Sequence, residues 1–188
     1  NIQHMLQWGT PQDVEEYNTW TKYFRNVVKQ EQKREPKDGS ITLIPLAGRG
    51  SRFTKACYKD PKPLIEVSGK PMIIQAANSL PKSENHIFVT LKEHLQNYPL
   101  EKILKDEYQD SKIIAIDEVT QGQAVTCSLG LKDTDENLSM LISATDNGIT
   151  YNKEKYEKLI EDKSVDAIIF TFRHHISSKQ NPQMYGWV

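Results

Sequence analysis

Between residues 41 and 172, short apolar runs alternate with stretches of helical period, and this alternation limits the architectures open to the chain. Residues 41–46, 86–91, 112–116, 138–144 and 165–172 have the length and composition of buried strands. Residues 71–80, 92–107 with a break near Pro99, 122–131 and 153–162 read as the helices between them. A helix between two strands returns the chain to the starting edge of the sheet, so the strands it joins run parallel. The expected fold class is α/β: a Rossmann-like three-layer core with a mostly parallel sheet and helices on both faces. Sheets of this kind take ligands at the carboxyl ends of their strands.

The region before residue 40 has a different texture. Thr10 can cap a helix that starts at Pro11, with Asp13 three residues after the cap. Val14, Tyr17, Trp20, Phe24, Val27 and Val28 then form one apolar face at helical spacing. An aromatic stripe of this kind is expected to pack on something. Residues 29–40 are polar, contain Pro36 and Gly39, and read as a linker. The expected division is a helical extension and linker over 1–39 and a core over 40–188.

Charge excludes several classes of function. Twenty-four Lys and Arg against 25 Asp and Glu leave a net charge of −1, which suits neither a nucleic-acid coat nor a membrane-surface protein. Any anion site must therefore be a local cluster. Cys57 and Cys127 follow no metal or redox spacing and read as reduced thiols of a cytoplasmic protein. No apolar run reaches the ~18 residues of a membrane span.

The first strand runs into Leu46-Ala47-Gly48-Arg49-Gly50-Ser51-Arg52-Phe53. Two glycines let backbone approach a ligand, and successive N–H groups can line an anion site, although a plain tight turn explains the string equally well. No G-x-x-x-x-G-K-[ST] string occurs, and Phe53 stands where a dinucleotide fingerprint needs its third glycine. Glu66 sits near the offset of a ribose-binding acid, which keeps an NAD-dependent oxidoreductase as a distant alternative. Arg49, Arg52, Lys55, Lys59 and Lys62 then fall within 14 residues, opposed there only by Asp60. Pro61 and Pro63 fix the backbone on either side of Lys62, which favours a positioned point charge over a solvated surface lysine.

Leu46–Phe53, Asp60-Pro61-Lys62-Pro63-Leu64 and Val67-Ser68-Gly69-Lys70-Pro71-Met72-Ile73 together resemble the opening of the sugar-phosphate nucleotidyltransferase family, in particular its capsule and lipopolysaccharide biosynthesis branch. The resemblance is dense from Leu46 to Ile73 and looser over the rest of 41–188. It implies that the loop, Leu46 through Ser51 with Arg49, holds a nucleoside triphosphate. It further implies that Arg52 contacts the β- and γ-phosphates and that Lys62 contacts the α-phosphate and stabilises transferring charge. The nucleophile would be the acceptor's own ionised phosphate, so no protein base is required.

The same resemblance assigns the later segments. Gln121-Gly122-Gln123-Ala124 is similar to the family's base-reading string, which makes Gly122 and Gln123 NTP-binding candidates; glutamine can both donate to and accept from a base. Asp146, just past a buried strand, is the candidate ligand for a Mg²⁺ cofactor, with an Asp-Asn-Gly turn as the plain alternative. Tyr185 and Gly186 resemble the acceptor-sugar segment. Further acceptor residues of the family would lie beyond Val188, so the core is expected to be incomplete there. Gln7-Trp8-Gly9-Thr10-Pro11 resembles a closing segment that some members carry after the core, which suggests another such domain upstream.

The expected activity is transfer of an NMP group from an NTP to a phosphorylated small molecule with release of pyrophosphate. A sugar 1-phosphate is the leading acceptor and an aminoalcohol phosphate such as phosphocholine the second. Expected partners are the triphosphate and the acceptor, without nucleic acid or membrane; a homo-oligomer is compatible with the chain. The rival from another class is a non-catalytic paralogue that binds nucleotide only.

Overall fold

The computed structural model describes residues 2–11, 13, 14, 17, 18, 21, 37–173 and 182–187. Its strands, in chain order, are β1 (Ile2–Gln7), β2 (Lys37–Leu46), β3 (Glu66–Val67), β4 (Lys70–Pro71), β5 (Ser83–Leu91), β6 (Lys112–Ile116), β7 (Met140–Ile142) and β8 (Asn147–Tyr151). Four of them form a parallel sheet in the order β6-β5-β2-β7. The chain builds outward from β2 through β5 to β6, then crosses to β7 on the other side of β2. That reversal leaves a crevice at the carboxyl ends of β2 and β7.

The pleat of β2 explains why both faces are covered. Ile41 and Leu43 point to one face, where they cluster with Ile87, Val89 and Cys127 under the helix Gln123–Gly130. Ile44 and Leu46 point to the other, against Ile73, Ile74 and Ala77 of the helix Met72–Asn78 and Leu100 and Leu104 of the helix Leu100–Glu107. With apolar residues on both faces, such strands need helices on each. The fold is therefore an α/β sandwich of helix, parallel sheet and helix. Gly130 sets the approach of the first helix: an added Cβ would lie 2.6 Å from Leu43 Cδ1 and 2.9 Å from Val89 Cγ2. Among the described residues no helix is long and apolar enough to cross a membrane.

Local signals located most elements. The strand at 112–116 is Lys112–Ile116, and the break near Pro99 separates the helices Lys92–Asn97 and Leu100–Glu107. The expected helix at 153–162 is Lys153–Glu161, capped by Asn152, whose side chain accepts from the Lys155 amide. Thr10 and Asp13 form a reciprocal cap: the Thr10 amide donates to Asp13 Oδ2 at 2.9 Å and the Asp13 amide to Thr10 Oγ1 at 3.2 Å. Pro11, Asp13, Val14, Tyr17, Asn18 and Thr21 are helical. Trp20, Phe24, Val27, Val28 and the linker stretch 29–36 lie outside the described residues.

Three features differ from expectation. Residues 165–172 form no strand. Ile169 is 75% exposed, and Phe170 packs on the rings of Tyr151 and Tyr156, at 6.3 and 5.8 Å, instead of entering a ladder. An apolar pattern makes a strand only where a neighbouring edge accepts its hydrogen bonds. Residues 2–7, by contrast, form β1, which pairs antiparallel with β8. The expected division at 39/40 falls inside β2, and Trp8 and Val14 lie in one buried cluster with Phe53, Ile65, Val67, Met72 and Ala76. Trp8, Val14 and Tyr17 thus share a core with the glycine loop's Phe53 and the residues that follow it.

Candidate functional site

A cleft of about 430 Å³ opens at the strand reversal. Its volume lies in the ~300–1,000 Å³ range of small-molecule sites. Pro45, Leu46, Ala47, Gly48, Gly50, Ser51 and Arg52 form one wall, Lys62 and Pro63 a second, Val119, Thr120, Gly122, Gln123 and Thr126 a third, and Ala144, Thr145, Asp146 and Gly9 close it. Of the candidates read from the sequence, Leu46, Ala47, Gly48, Gly50, Ser51, Arg52, Lys62, Gly122, Gln123 and Asp146 come together here. Arg49 is exposed outside the lining, and Tyr185 and Gly186 do not line the cleft. Tyr185 instead meets the ring of Phe172 at 5.6 Å.

The glycine loop owes its shape to Gly50, at φ 59°, in the left-handed region that glycine enters without strain. Its carbonyl accepts from the Phe53 amide at 2.9 Å and starts the helix Ser51–Lys55. Phe53, 2% exposed, anchors that helix in the cluster around Trp8 and meets Tyr58 edge-on at 5.2 Å. Arg52, one residue earlier, therefore faces the cleft. The phenyl ring fills the space that a third glycine would leave open for close helix–strand packing.

Lys62 begins the turn Lys62–Leu64, closed by the Leu64 amide donating to the Pro61 carbonyl at 2.8 Å. Pro63 is buried beneath it. A Cβ on Gly50 would sit 2.9 Å from Lys62 Cβ, so the loop and the lysine approach closely only because residue 50 has no side chain. Lys62 Nζ donates to Asp146 Oδ2 at 2.5 Å, with side chains 21% and 19% exposed. The turn carrying Asp146 follows β7. It is tied down by Thr145 Oγ1 donating to the Pro45 carbonyl at 3.2 Å and by the Trp8 amide donating to the Asp146 carbonyl at 2.8 Å.

On the far wall the helix Gln123–Gly130 presents its first turn to the cleft. The Thr120 hydroxyl donates to the Gly122 carbonyl at 2.9 Å and lies 2.6 Å from the Thr126 hydroxyl, which braces the turn before Gln123. Behind the helix, burial pushes the Cys127 thiol up and keeps it protonated. Cys57 is free and exposed. Sequence reasoning missed Gly9, Val119, Thr120, Thr126 and Thr145. Thr120 carried a usable local signal, a hydroxyl two residues before a glycine; Gly9 carried none.

Chemically, the cleft is lined by the glycine loop at Gly48, Gly50 and Ser51, by two cationic residues, Arg52 and Lys62, and by one carboxylate, Asp146. Among the described residues no group of three His, Cys, Asp or Glu side chains could hold a metal ion. A lone carboxylate oxygen does fit Mg²⁺, which is commonly bound through one or two carboxylates and completed by substrate phosphates. The donor set therefore suits a metal that arrives with a polyphosphate.

No protein-family model matches the chain, and no curated protein matches it. Among solved structures, the chain is similar to the nucleoside-diphosphate-sugar pyrophosphorylase from Vibrio cholerae RC9, at 27% sequence identity and a TM-score of 0.47. That likeness covers 55% of this chain and 46% of the other, so the chain spans about half the length of that protein.

Proposed function

We propose that the cleft binds a nucleoside triphosphate with Mg²⁺ and serves a nucleotidyltransferase that moves an NMP group to a phosphorylated small molecule, with a sugar 1-phosphate as the leading acceptor. The observation that carries this reading is the meeting of Lys62 and Asp146, 84 residues apart, beside the glycine loop at the strand reversal. A glycine loop suits phosphate oxygens, and Arg52 and Lys62 supply two positive charges to the cleft lining.

In the reaction an acceptor phosphate oxygen attacks the α-phosphorus, a new P–O bond forms, and the bond between the α-phosphorus and its bridging oxygen breaks. Pyrophosphate leaves with the electron pair, and no proton need move. Lys62 would steady charge at the α-phosphate and Arg52 charge on the leaving group. Mg²⁺, when bound at Asp146, would neutralise the phosphates further.

The position of Tyr185 and Gly186 outside the cleft favours a narrower second reading, nucleotide binding without transfer. An NAD-dependent oxidoreductase is disfavoured by the buried ring of Phe53. Calorimetric titration with CTP, UTP, dTTP, GTP and ATP in Mg²⁺, with NADH as control, tests the proposal. Selective binding of one triphosphate supports it, and NADH binding without triphosphate binding overturns it. Pyrophosphate release with sugar 1-phosphates separates transfer from binding alone.

A further inference from the structure

We infer that Trp8 is a positioning residue for Asp146, and that β1 with Trp8 and Gly9 belongs to the site. The inference rests on the nucleotide reading above. Residue 146 lies between β7 and β8, where the pleat of the main sheet no longer dictates the direction of a side chain. Beside the Thr145–Pro45 tie on its other flank, what holds it is the Trp8 amide, donating to the Asp146 carbonyl at 2.8 Å, and the ladder that continues at once with Gln7↔Asn147 and Leu6↔Gly148. The backbone torsions that aim the Asp146 carboxylate at Lys62 are thus set by residues some 140 positions earlier.

The indole is what keeps that amide in place. Trp8 is 1% exposed and meets Tyr17 edge-on at 4.8 Å. Its Nε1 is buried without a hydrogen-bond partner among the described residues, a cost that the packing of the ring must offset. The same cluster contains Phe53, next to Arg52, and Ile65, at the end of the Lys62 turn. A second tie holds the helix that follows Trp8, because the Ser68 amide donates to Asn18 Oδ1 at 3.0 Å. Gly9, directly after Trp8, reaches the cleft wall. The Trp8 amide bonds Asp146 itself, whereas the loop meets the ring's cluster only through Phe53, so unseating the ring should misdirect Asp146 more than the phosphate loop.

The test compares the gain in triphosphate affinity on adding Mg²⁺ for wild type, Trp8→Phe, Trp8→Ala, Asp146→Asn and the Trp8→Ala/Asp146→Asn double variant. Each is checked for folding by near-ultraviolet circular dichroism, with Trp8→Leu replacing Trp8→Ala if the latter does not fold. Groups that orient a metal ligand are typically worth ~10–100-fold in metal affinity. The metal-dependent gain should fall about tenfold in Trp8→Ala, with a much smaller change in metal-free affinity. Trp8→Phe should keep the gain. Asp146→Asn should abolish it, and adding Trp8→Ala should then change nothing more. A folded Trp8→Ala protein with the wild-type gain overturns the inference. Equal losses with and without metal also overturn it, since they indicate a structural role alone. Wild-type protein that binds no triphosphate overturns the nucleotide reading itself, an outcome distinct from any difference among the variants.

Discussion

Lys62 Nζ lies 2.5 Å from Asp146 Oδ2, so two of the three charges that the proposed chemistry uses neutralise each other. A cation seeking Asp146 must displace an ammonium, and a triphosphate seeking Lys62 must displace a carboxylate. The two ligands together replace the ion pair with a complete set of new partners. Lys62→Met should therefore act in opposite directions on them. Divalent-cation binding to the free protein should tighten, while triphosphate affinity should fall roughly 10–100-fold, the worth of one hydrogen bond to a charged group. Separate titrations with MnCl₂ and with the preferred triphosphate would show this. Weaker binding of both by the same factor would indicate a collapsed cleft. Stability should fall by ~1–3 kcal/mol, because the side chains are only 21% and 19% exposed and the variant leaves the Asp146 carboxylate without its partner.

Gly48 and Gly50 should respond differently to the same substitution. At Gly50, alanine meets both a positive φ and Lys62 Cβ at 2.9 Å, so Gly50→Ala should destabilise the fold by ~1–2 kcal/mol and shift Lys62. At Gly48 an added Cβ meets nothing within 4 Å, so Gly48→Ala should leave the melting temperature nearly unchanged. If phosphate oxygens approach the loop backbone there, Gly48→Ala should still weaken triphosphate binding. Denaturant unfolding and calorimetry on the two variants separate stability from affinity.

Gly130→Ala tests the packing of the helix behind the cleft. The new methyl would crowd Leu43 and Val89, and overpacking of this kind costs ~1–3 kcal/mol, more than the ~1 kcal/mol gained in helix propensity. Urea unfolding should show a lower midpoint with an unchanged slope.

Stability should also fall on mild acidification, through His86. Burial lowers its pKa to about 4, from 6.5 in an open chain, and its ring lies against Tyr108 at 4.2 Å. Burial and the neighbouring Glu107 carboxylate push the Tyr108 hydroxyl up, so Tyr108 stays neutral through this range. The folded protein keeps His86 neutral while the unfolded chain takes up a proton. This contribution is therefore full above about pH 6.5 and is lost as pH falls toward 4, by at most ~3 kcal/mol. His86→Gln should flatten that part of a urea-stability profile, and an unchanged slope would sink the assignment.

What the sequence made legible follows the range of the interactions concerned. The cap at Thr10 and Asp13, the break at Pro99 and the strand 112–116 depend on neighbours in the chain, and each stands where local pattern put it. The meeting of candidate residues at one cleft was legible in part: Gly48, Gly50, Ser51, Arg52 and Lys62 lie within a few residues of the turns that shape them, and Asp146 stands in the short turn after β7, whereas Arg49, Tyr185 and Gly186 do not line the cleft. β1 was not legible, because Ile2–Gln7 has no alternation of its own and becomes a strand only through β8. The apolar residues at 165–172 misled for the converse reason, having the pattern of a strand without a ladder to join. Gly9 reaches the cleft, and Trp8 the Asp146 turn, through the same long-range pairing, which no local pattern in the chain marks.

That pairing also has a temporal side. Residues 147–151 are made about 140 positions after residues 2–7. At ~5–20 residues per second, that is a wait of roughly seven to thirty seconds on the ribosome. Until then the earlier strand has no edge to lie against, the Asp146 turn has no tether, and the indole of Trp8 has only part of its packing. The cleft is thus complete only once β8 has been made. The nascent chain can collapse around β2 and β5 well before it holds a finished site.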